Sequence, residues 1–300
     1  MKSPRELQTL YRKGTNISAY LRGAYGVTGN TEDIIELSYD LQTGAYTRAA
    51  QRPKMREHKR LYSGELARTI LDLCRPESIL EAGVGEGTTL SGVLDSLPAG
   101  VQSYGFDLSW SRVAYARRWL DGRGHDEVRL CTGNLFNIPF ADNSVDVVFT
   151  SHAIEPNGGQ EPAILKELYR VARRYLVLLE PGYEFADDEA RQRMTSHGYC
   201  RNIPGYIREL GYPMLVNERF PHSSNPLNPT AITIVQKQGG EGTPEHILAC
   251  PQFRSPLQSI GGMLFSREAL RVYPVLDGIP CLRIENGILA SKFEEVVGGL

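Results

Sequence analysis

Apolar and aromatic positions recur at loose helical spacing across residues 1–60 (Leu7, Leu10 and Tyr11; Ile34, Ile35, Leu37 and Leu41), with Gly and Thr breaks between the groups. The spacing predicts two or three short helices, too small to enclose a core of their own, packed as a cap over the next segment of the chain. From residue 61 the pattern alternates. Continuous apolar runs predict strands at Ser78–Ala82, Val101–Phe106, Val128–Thr132, Val145–Thr150 and Tyr175–Leu179. Helical periodicity predicts helices at Leu61–Leu73, Thr88–Leu97, Trp110–Leu120 and Pro162–Ala172. Strands that are apolar throughout, alternating with helices, predict an α/β fold with a parallel sheet covered on both faces. Helices at Asp188–Gly198 and Ile203–Leu210 precede two strand-like runs, Pro213–Phe220 and Thr230–Lys237, joined by the polar loop Pro221–Pro229. Such a hairpin closes a seven-stranded, mostly parallel sheet with an antiparallel strand. Gln238–Pro244 is a linker by composition. The pattern therefore divides the chain into a helical N-terminal cap (1–60), a sheet domain (61–238) and a small C-terminal α+β module (239–300), with no internal repeat.

Composition changes this picture little. Hydrophobic residues make up 41% of the 300 and charged residues 23%, as in an ordinary globular protein. No apolar run approaches the ~20 residues of a membrane span. The N-terminal stretch MKSPRELQTLYRKG has no apolar core of a secretory signal. Five scattered cysteines (74, 131, 200, 250, 281) suit buried thiols in a reducing, cytoplasmic setting. Net charge is −2, but residues 1–60 hold eleven Lys/Arg against six Asp/Glu, so +5, which leaves −7 for the remainder. The basic residues concentrate in 52–60. That stretch reads either as a solvated helix face or as an anion-binding edge.

The strongest chemical signal is Ile79-Leu-Glu-Ala-Gly-Val-Gly-Glu-Gly-Thr-Thr-Leu90, a strand running through glycines into a helix. Glycines let backbone turn tightly and approach a ligand closely. The dinucleotide fingerprint G-x-G-x-x-G would need glycine at 88, where this chain has Thr88. The pattern is instead Glu81-x-Gly83-x-Gly85-x-Gly87. Here the chain, over about residues 40–238, resembles the class I S-adenosylmethionine (SAM)-dependent methyltransferases, and among them the small-molecule C-, N- and O-methyltransferases. Further matches stand in register: Tyr104-Gly-Phe-Asp107-Leu-Ser109, then Gly133-Asn134 through Asp142 to Asp146, then Thr150-Ser-His152-Ala-Ile-Glu155.

The resemblance implies a Rossmann-like sheet and SAM as cofactor, with S-adenosylhomocysteine (SAH) as product. It implies that Glu81, Gly83, Gly85, Gly87 and Thr88 hold the methionine end. A carboxylate at Asp107 would accept both ribose hydroxyls. Asn134 stands where the family usually has an acid on the adenine amine, and its amide oxygen could still accept that bond. Tyr46, Leu108, Leu135, Phe136 and Ser151 would complete the cofactor wall.

Methyl transfer from a sulfonium is an in-line displacement that mainly needs alignment, plus a base when the nucleophile is a hydroxyl. His152, just past the fourth strand, is the candidate base; the plainer role is a structural hydrogen bond. Glu155 and Asn157 extend the same rim. Tyr183 lies just past the fifth strand on the same edge, and His197 could reach the crevice from its helix. The loop Pro221–Pro229 offers His222, Asn225 and Asn228. Neutral donors and acceptors on a proline-stiffened loop suit a polar small molecule, such as a sugar or sugar acid, methylated on O or N in a biosynthetic pathway.

Residues 246–285 resemble the small zinc-ribbon family that includes the activating partner of several tRNA and protein methyltransferases; Tyr273-Pro-Val-Leu-Asp-Gly-Ile-Pro280 carries the resemblance. In register, the family's four cysteines fall at Cys250, Phe253, Ser266 and Ala269, so one thiol remains and neither zinc nor another metal is expected. Phe253 is expected inside, at the former metal position. The module would then depend on docking to the catalytic domain, or on a second copy in a homodimer through the module or the cap. Two other functions stay open: a methyltransferase acting on RNA or protein with the module as built-in partner domain, and a SAM-binding scaffold without catalysis. The slightly negative total charge and the lack of an aromatic-basic surface argue against nucleic acid, and no membrane partner is expected.

Overall fold

The computed structural model describes residues 2–238 and 244–298, so most of the linker at 238–244 lies outside the described residues. Four short helices form the cap: α1 (Pro4–Arg12), α2 (Ile17–Tyr25), α3 (Glu32–Asp40) and α4 (Ala45–Ala50). Ser3, Asn16 and Thr31 cap the first three, each side chain accepting a backbone N–H of the first turn. This corrects the expectation of two or three helices without a core: there are four, and Leu7, Ile17, Leu21 and Ile34 bury a small cluster between the first three.

The next helix, α5, runs from Pro53 to Leu73, and so begins eight residues before the expected Leu61. Proline fits the first helical position because its missing N–H is unused there. The basic stretch 52–60 therefore forms the first turns of a 21-residue helix, and the boundary expected at 60 falls inside it. Tyr62, Leu66 and Ile70, four residues apart, bury one face.

The alternating part comes next: β1 (Ser78–Ala82), α6 (Thr88–Leu94), β2 (Gln102–Asp107), α7 (Trp110–Asp121), β3 (Arg129–Thr132), β4 (Val145–Ser151), α8 (Glu161–Val171), β5 (Ala172–Pro181), α9 (Asp188–His197), α10 (Ile203–Glu209), β6 (Met214–Arg219) and β7 (Thr230–Gln236). The strands form one seven-stranded sheet in the order β3-β2-β1-β4-β5-β7-β6. All neighbouring pairs from β3 to β5 are parallel, and β7 is antiparallel to both flanking strands. This is the expected mixed, Rossmann-like sheet. Every residue of β1 is buried, as are the first six of β4, so the two central strands are covered on both faces and read as mainly apolar runs, with Ser78, Glu81, Asp146 and Thr150 as the buried polar exceptions. Strand order reverses at β1, which places a crevice beyond the carboxyl ends of β1 and β4. Because β6 runs parallel to β5, the polar loop after it emerges at that same edge.

The C-terminal module holds β8 (Gln258–Ile260), β9 (Met263–Ser266), β10 (Arg271–Tyr273), β11 (Val275–Leu276), β12 (Ile279–Pro280), β13 (Ile288–Leu289) and α11 (Phe293–Val297), in sheets of four and two strands. It closes the β3 edge. Leu282 N–H donates to Thr132 O, Ala141 N–H to Ile247 O and Ala249 N–H to Pro139 O. Cys250, Tyr273 and Leu282 join Tyr104, Phe106 and Phe140 in one hydrophobic cluster. An edge that would otherwise offer unpaired amides is thus covered.

Phe253 corrects the expectation of a buried replacement for metal: it is 51% exposed. The chain turns tightly from Cys250 to Ser255 through Arg254, whose φ is 59°, and this turn throws Phe253 outward. The interior is already filled by other groups. Cys250 Sγ lies 3.5 Å from the Tyr273 hydroxyl, and the Ser266 hydroxyl meets Ser255 Oγ at 3.2 Å and accepts Ala269 N–H at 3.1 Å. Among the described residues no group of three or more His, Cys, Asp or Glu is arranged to hold a metal, and no helix is long and apolar enough to cross a membrane.

Candidate active site

The carboxyl ends of β1, β2 and β4 open into a cavity of about 580 Å³, roofed by α3, α4 and α5. Gly83, Gly85 and Gly87 all have positive φ, between 56° and 76°. At Gly83 the approach is close as well: a Cβ there would lie 2.4 Å from that of Ala153, so the turns after β1 and β4 can meet only over a glycine. Gly87 packs against Ala116 of α7 and does not reach the cavity wall.

Glu81, the penultimate residue of β1, lines the cavity and is 2% exposed. Burial pushes its carboxyl up to about 8, against the pull of Lys59. Its Oε2 is buried without a hydrogen-bond partner. Lys59, on the second turn of α5, donates to Thr89 Oγ1 at 3.0 Å, and burial lowers its pKa. A buried acid with an unused oxygen beside a buried amine matches the two ends of an α-amino acid. Thr88 lines the wall next to this pair.

Asp107 ends β2. Oδ2 accepts Gly85 N–H at 2.9 Å and Oδ1 accepts Ser109 N–H at 3.0 Å, which leaves one lone pair on each oxygen for a diol. Arg112 stands 3.6 Å from Oδ2, with its guanidinium between the rings of Tyr39 and Tyr46. Leu108, Leu135 and Phe136 complete this end of the cavity. Asn134 departs from expectation. Its amide oxygen accepts the backbone N–H groups of Phe136 (3.0 Å) and Asn137 (2.8 Å), so both lone pairs are engaged. The unpartnered oxygen on Glu81, the remaining lone pairs of Asp107 and the glycine cradle fit a SAM-like ligand with its methionine end at β1.

His152 sits just after β4 with φ 57°, a left-handed conformation unusual for a residue with a side chain. Nδ1 lies 2.5 Å from Glu155 Oε2 and Nε2 lies 2.9 Å from Thr230 Oγ1. Burial alone would lower the imidazole pKa, but the Glu155 charge and hydrogen bond outweigh it and raise it above the ordinary value. Glu155 is also buried, yet His152, Asn228 and Tyr199 together hold its carboxyl below the usual range. Beneath them Glu180, pushed up to about 7 by burial, accepts the backbone N–H groups of Ala153, Ile154 and Glu155 and fixes the turn. Ser151 lines the same wall, its hydroxyl 3.0 Å from that of Tyr62.

The structure thus brings most of the expected residues to one cavity, including Asn157, His222 and Asn225. It leaves out three. Gly87 has the packing role given above. Tyr183 packs against Ala186, Ala190 and Met194. His197 faces a second cavity of about 360 Å³, with Tyr11, Arg22 and Tyr199, which shares Tyr39, Tyr46 and Glu155 with the first. Sequence reasoning missed Lys59, Glu86, Arg112 and Glu32. Helical spacing carried a signal for Lys59, because 55, 58, 59 and 62 fall on the cavity side of α5. Glu86 stood in the glycine loop as an unassigned position. It is 2% exposed and accepts the N–H groups of Gly44, Tyr46 and Thr47, tying α4 down as the roof.

Residues 79–174 match a methyltransferase-domain family. The [4+2]-cyclase SpnF superposes with a TM-score of 0.57 at 17% identity, over 71% of this chain and 98% of that one. Magnesium protoporphyrin IX methyltransferase from Synechocystis PCC 6803, solved with bound SAH, superposes with a TM-score of 0.51 at 16% identity, over 69% and 100%. At these identities the solved structures establish a shared fold, and the family match supports a class I methyltransferase domain.

Proposed function

We propose that the chain transfers a methyl group from SAM to an oxygen or nitrogen of a polar small molecule. The observation that carries this reading is the Glu155–His152 pair, set at the end of β4 in the same cavity as Glu81 and Asp107. SAM supplies an electrophilic methyl carbon on a sulfonium. Glu81 and Lys59 would hold the α-amino and α-carboxylate groups, and Asp107 the ribose hydroxyls. Glu155 accepts Nδ1–H of His152 and so leaves Nε2 free to act as a base. Thr230 Oγ1 occupies Nε2 until an acceptor hydroxyl replaces it; the proton of that hydroxyl would pass to Nε2 as its oxygen bonds to the methyl carbon and the carbon–sulfur bond breaks, its electron pair staying on the sulfur of SAH, which leaves. An amine acceptor loses its proton to the same atom. Asn225, Asn228 and His222 supply polar contacts for the rest of the acceptor.

The fold alone does not select this chemistry, since a cyclase shares it. The experiment is calorimetric titration with SAH, and then labelled-methyl transfer to a panel of polar metabolites. SAH should bind the wild type. His152→Asn should keep that affinity while turnover falls by about 10²–10⁴-fold. Absence of SAH binding, or transfer only to long apolar acceptors, would overturn the proposal. The second reading, a macromolecular acceptor such as RNA, draws on Arg52, Lys54 and Arg56, exposed at the start of α5. Salt-dependent RNA binding lost on reversing those charges would select that alternative. Tight SAH binding with no turnover of any acceptor would select a scaffold.

A further inference from the structure

The Asp107 end of the cavity continues toward β3, where Asn134, Leu135 and Phe136 form the wall. No acidic residue of the sheet domain stands at position 134, and the Asn134 amide oxygen is spent on the backbone. The amide nitrogen points the other way, to a carboxylate from the cap: Asn134 Nδ2 lies 3.2 Å from both oxygens of Glu32, in the first turn of α3. Glu32 lines the cavity and its side chain is 30% exposed. A third part of the chain holds it. Arg283, 8% exposed in the C-terminal module, donates through Nη2 to Glu32 Oε1 at 3.0 Å and through Nη1 to Glu36 Oε1 at 2.6 Å. Glu285, two residues on, accepts Arg283 Nε–H at 2.7 Å and holds the guanidinium in plane. Arg283 reaches Oε1 and Asn134 reaches both oxygens, so of the two lone pairs on Oε2 one meets Asn134 and the other is not taken by either donor; the Glu285 carboxyl is the remaining close neighbour.

We infer that Glu32 is the base-reading residue of the cofactor site, accepting an N–H of the exocyclic amine of adenine, and that Arg283 is its positioning residue. The inference rests on the SAM reading above. Cap, sheet domain and C-terminal module then each contribute one member to a single recognition unit: Glu32 accepts, Asn134 orients, Arg283 fixes. The module, which has lost three of the four expected ligand positions, acquires a role in the site through one arginine. The reading is also selective. A 6-amino base donates to the carboxylate, whereas a 6-oxo base would present a carbonyl oxygen to it and be repelled.

The test is calorimetric titration of the full chain with SAH and with its 6-oxo analogue, S-inosylhomocysteine. The wild type should prefer SAH by about 10–100-fold, the range for a hydrogen bond to a charged acceptor. Glu32→Gln, of the same shape, should cut the preference to within about threefold, because a side-chain amide can also donate to a 6-oxo group. Arg283→Met should weaken SAH binding and lower the preference, and Arg283→Lys should restore part of it; a purely structural arginine would change thermal stability and leave the ratio alone. If the wild type binds SAH and Glu32→Gln keeps the wild-type ratio, the inference falls while the proposed function stands. If Glu32→Gln lowers the ratio but both Arg283 variants keep it, the positioning role falls. If the wild type does not bind SAH, both readings fall together.

Discussion

Glu81 is a buried carboxyl that costs stability and, under the proposed function, would serve binding. In the free protein it titrates at about 8, far above an exposed glutamate, because burial disfavours its charge. The sign comes from linkage. A group whose folded pKa is raised contributes its stability fully below the unfolded value and loses it as pH rises through the folded one. Glu81→Gln should therefore raise the melting temperature by a few degrees at pH 8 and above, in a thermal scan without ligand. The same substitution should weaken SAH by about tenfold or more. Wild-type affinity should climb from pH 6 to 8 as the carboxyl ionises to meet an ammonium, and the variant should lose that slope. His152 and Glu155 shift the opposite ways. The raised imidazole stabilises below its ordinary range and loses this as pH rises through its folded pKa; the depressed carboxyl stabilises above its ordinary range and loses this as pH falls. The pair thus stabilises the fold most between those two ranges. Under the proposed function neutral His152 would be the working form, so the alkaline rise of kcat/KM should lie above the ordinary imidazole range. Glu155→Gln should shift it to lower pH while reducing kcat, measured as a pH–rate profile.

At the scale of elements, the glycine loop does more than approach a ligand. Glu86 takes the place of a capping side chain that Gly44, at the start of α4, cannot supply. Glu86→Ala should leave those buried N–H groups unpaired, at a cost of about 1–3 kcal/mol. Hydrogen exchange should then quicken across 44–50 and SAH should dissociate faster, with β1 and β4 unchanged. The strands of the parallel part were legible because each carries a mainly apolar run bounded by turn residues, and the glycine spacing marked the edge where the cavity opens. The roof was less so. Tyr46 was expected on the wall and lines the cavity, but residues 32, 39 and 86 act across distances that helical periodicity does not encode, and the basic run 52–60 hid Lys59, on the same helical face as 55, 58 and 62, among exposed neighbours. Asn134 lines the cavity, but its amide orientation depends on a partner 102 residues away, which no local pattern encodes.

Across the whole molecule, the C-terminal module shares its core with the sheet domain through Cys250, Tyr273 and Leu282. Tyr273 is fully buried, so Tyr273→Ala should cost about 3–5 kcal/mol. Because its partners lie in both parts, calorimetry should show one transition shifted down, not early melting of the module alone. Phe253→Ser, at an exposed turn, should change stability by no more than about 0.5 kcal/mol. A ribbon whose metal had been replaced by a buried phenyl would give the reverse ranking. The resemblance of the module's sequence located the turn but not the direction of its side chains, because a tight turn closed by Cys250 and Ser255 admits a large residue only on the outside.

The left-handed backbone at His152 separates shape from chemistry at a single position. Only glycine adopts that conformation without strain, so His152→Gly removes the imidazole while relaxing the turn that carries it. Most substitutions that silence an enzyme also loosen it. Here the released backbone strain should offset part of what is lost with the His152–Glu155 pair, and in the presence of SAM the silent form would retain an acceptor unconverted. Such a protein is a trap: soaked in a cell extract and washed, it should release into a mass spectrometer the acceptor that the active form would have consumed.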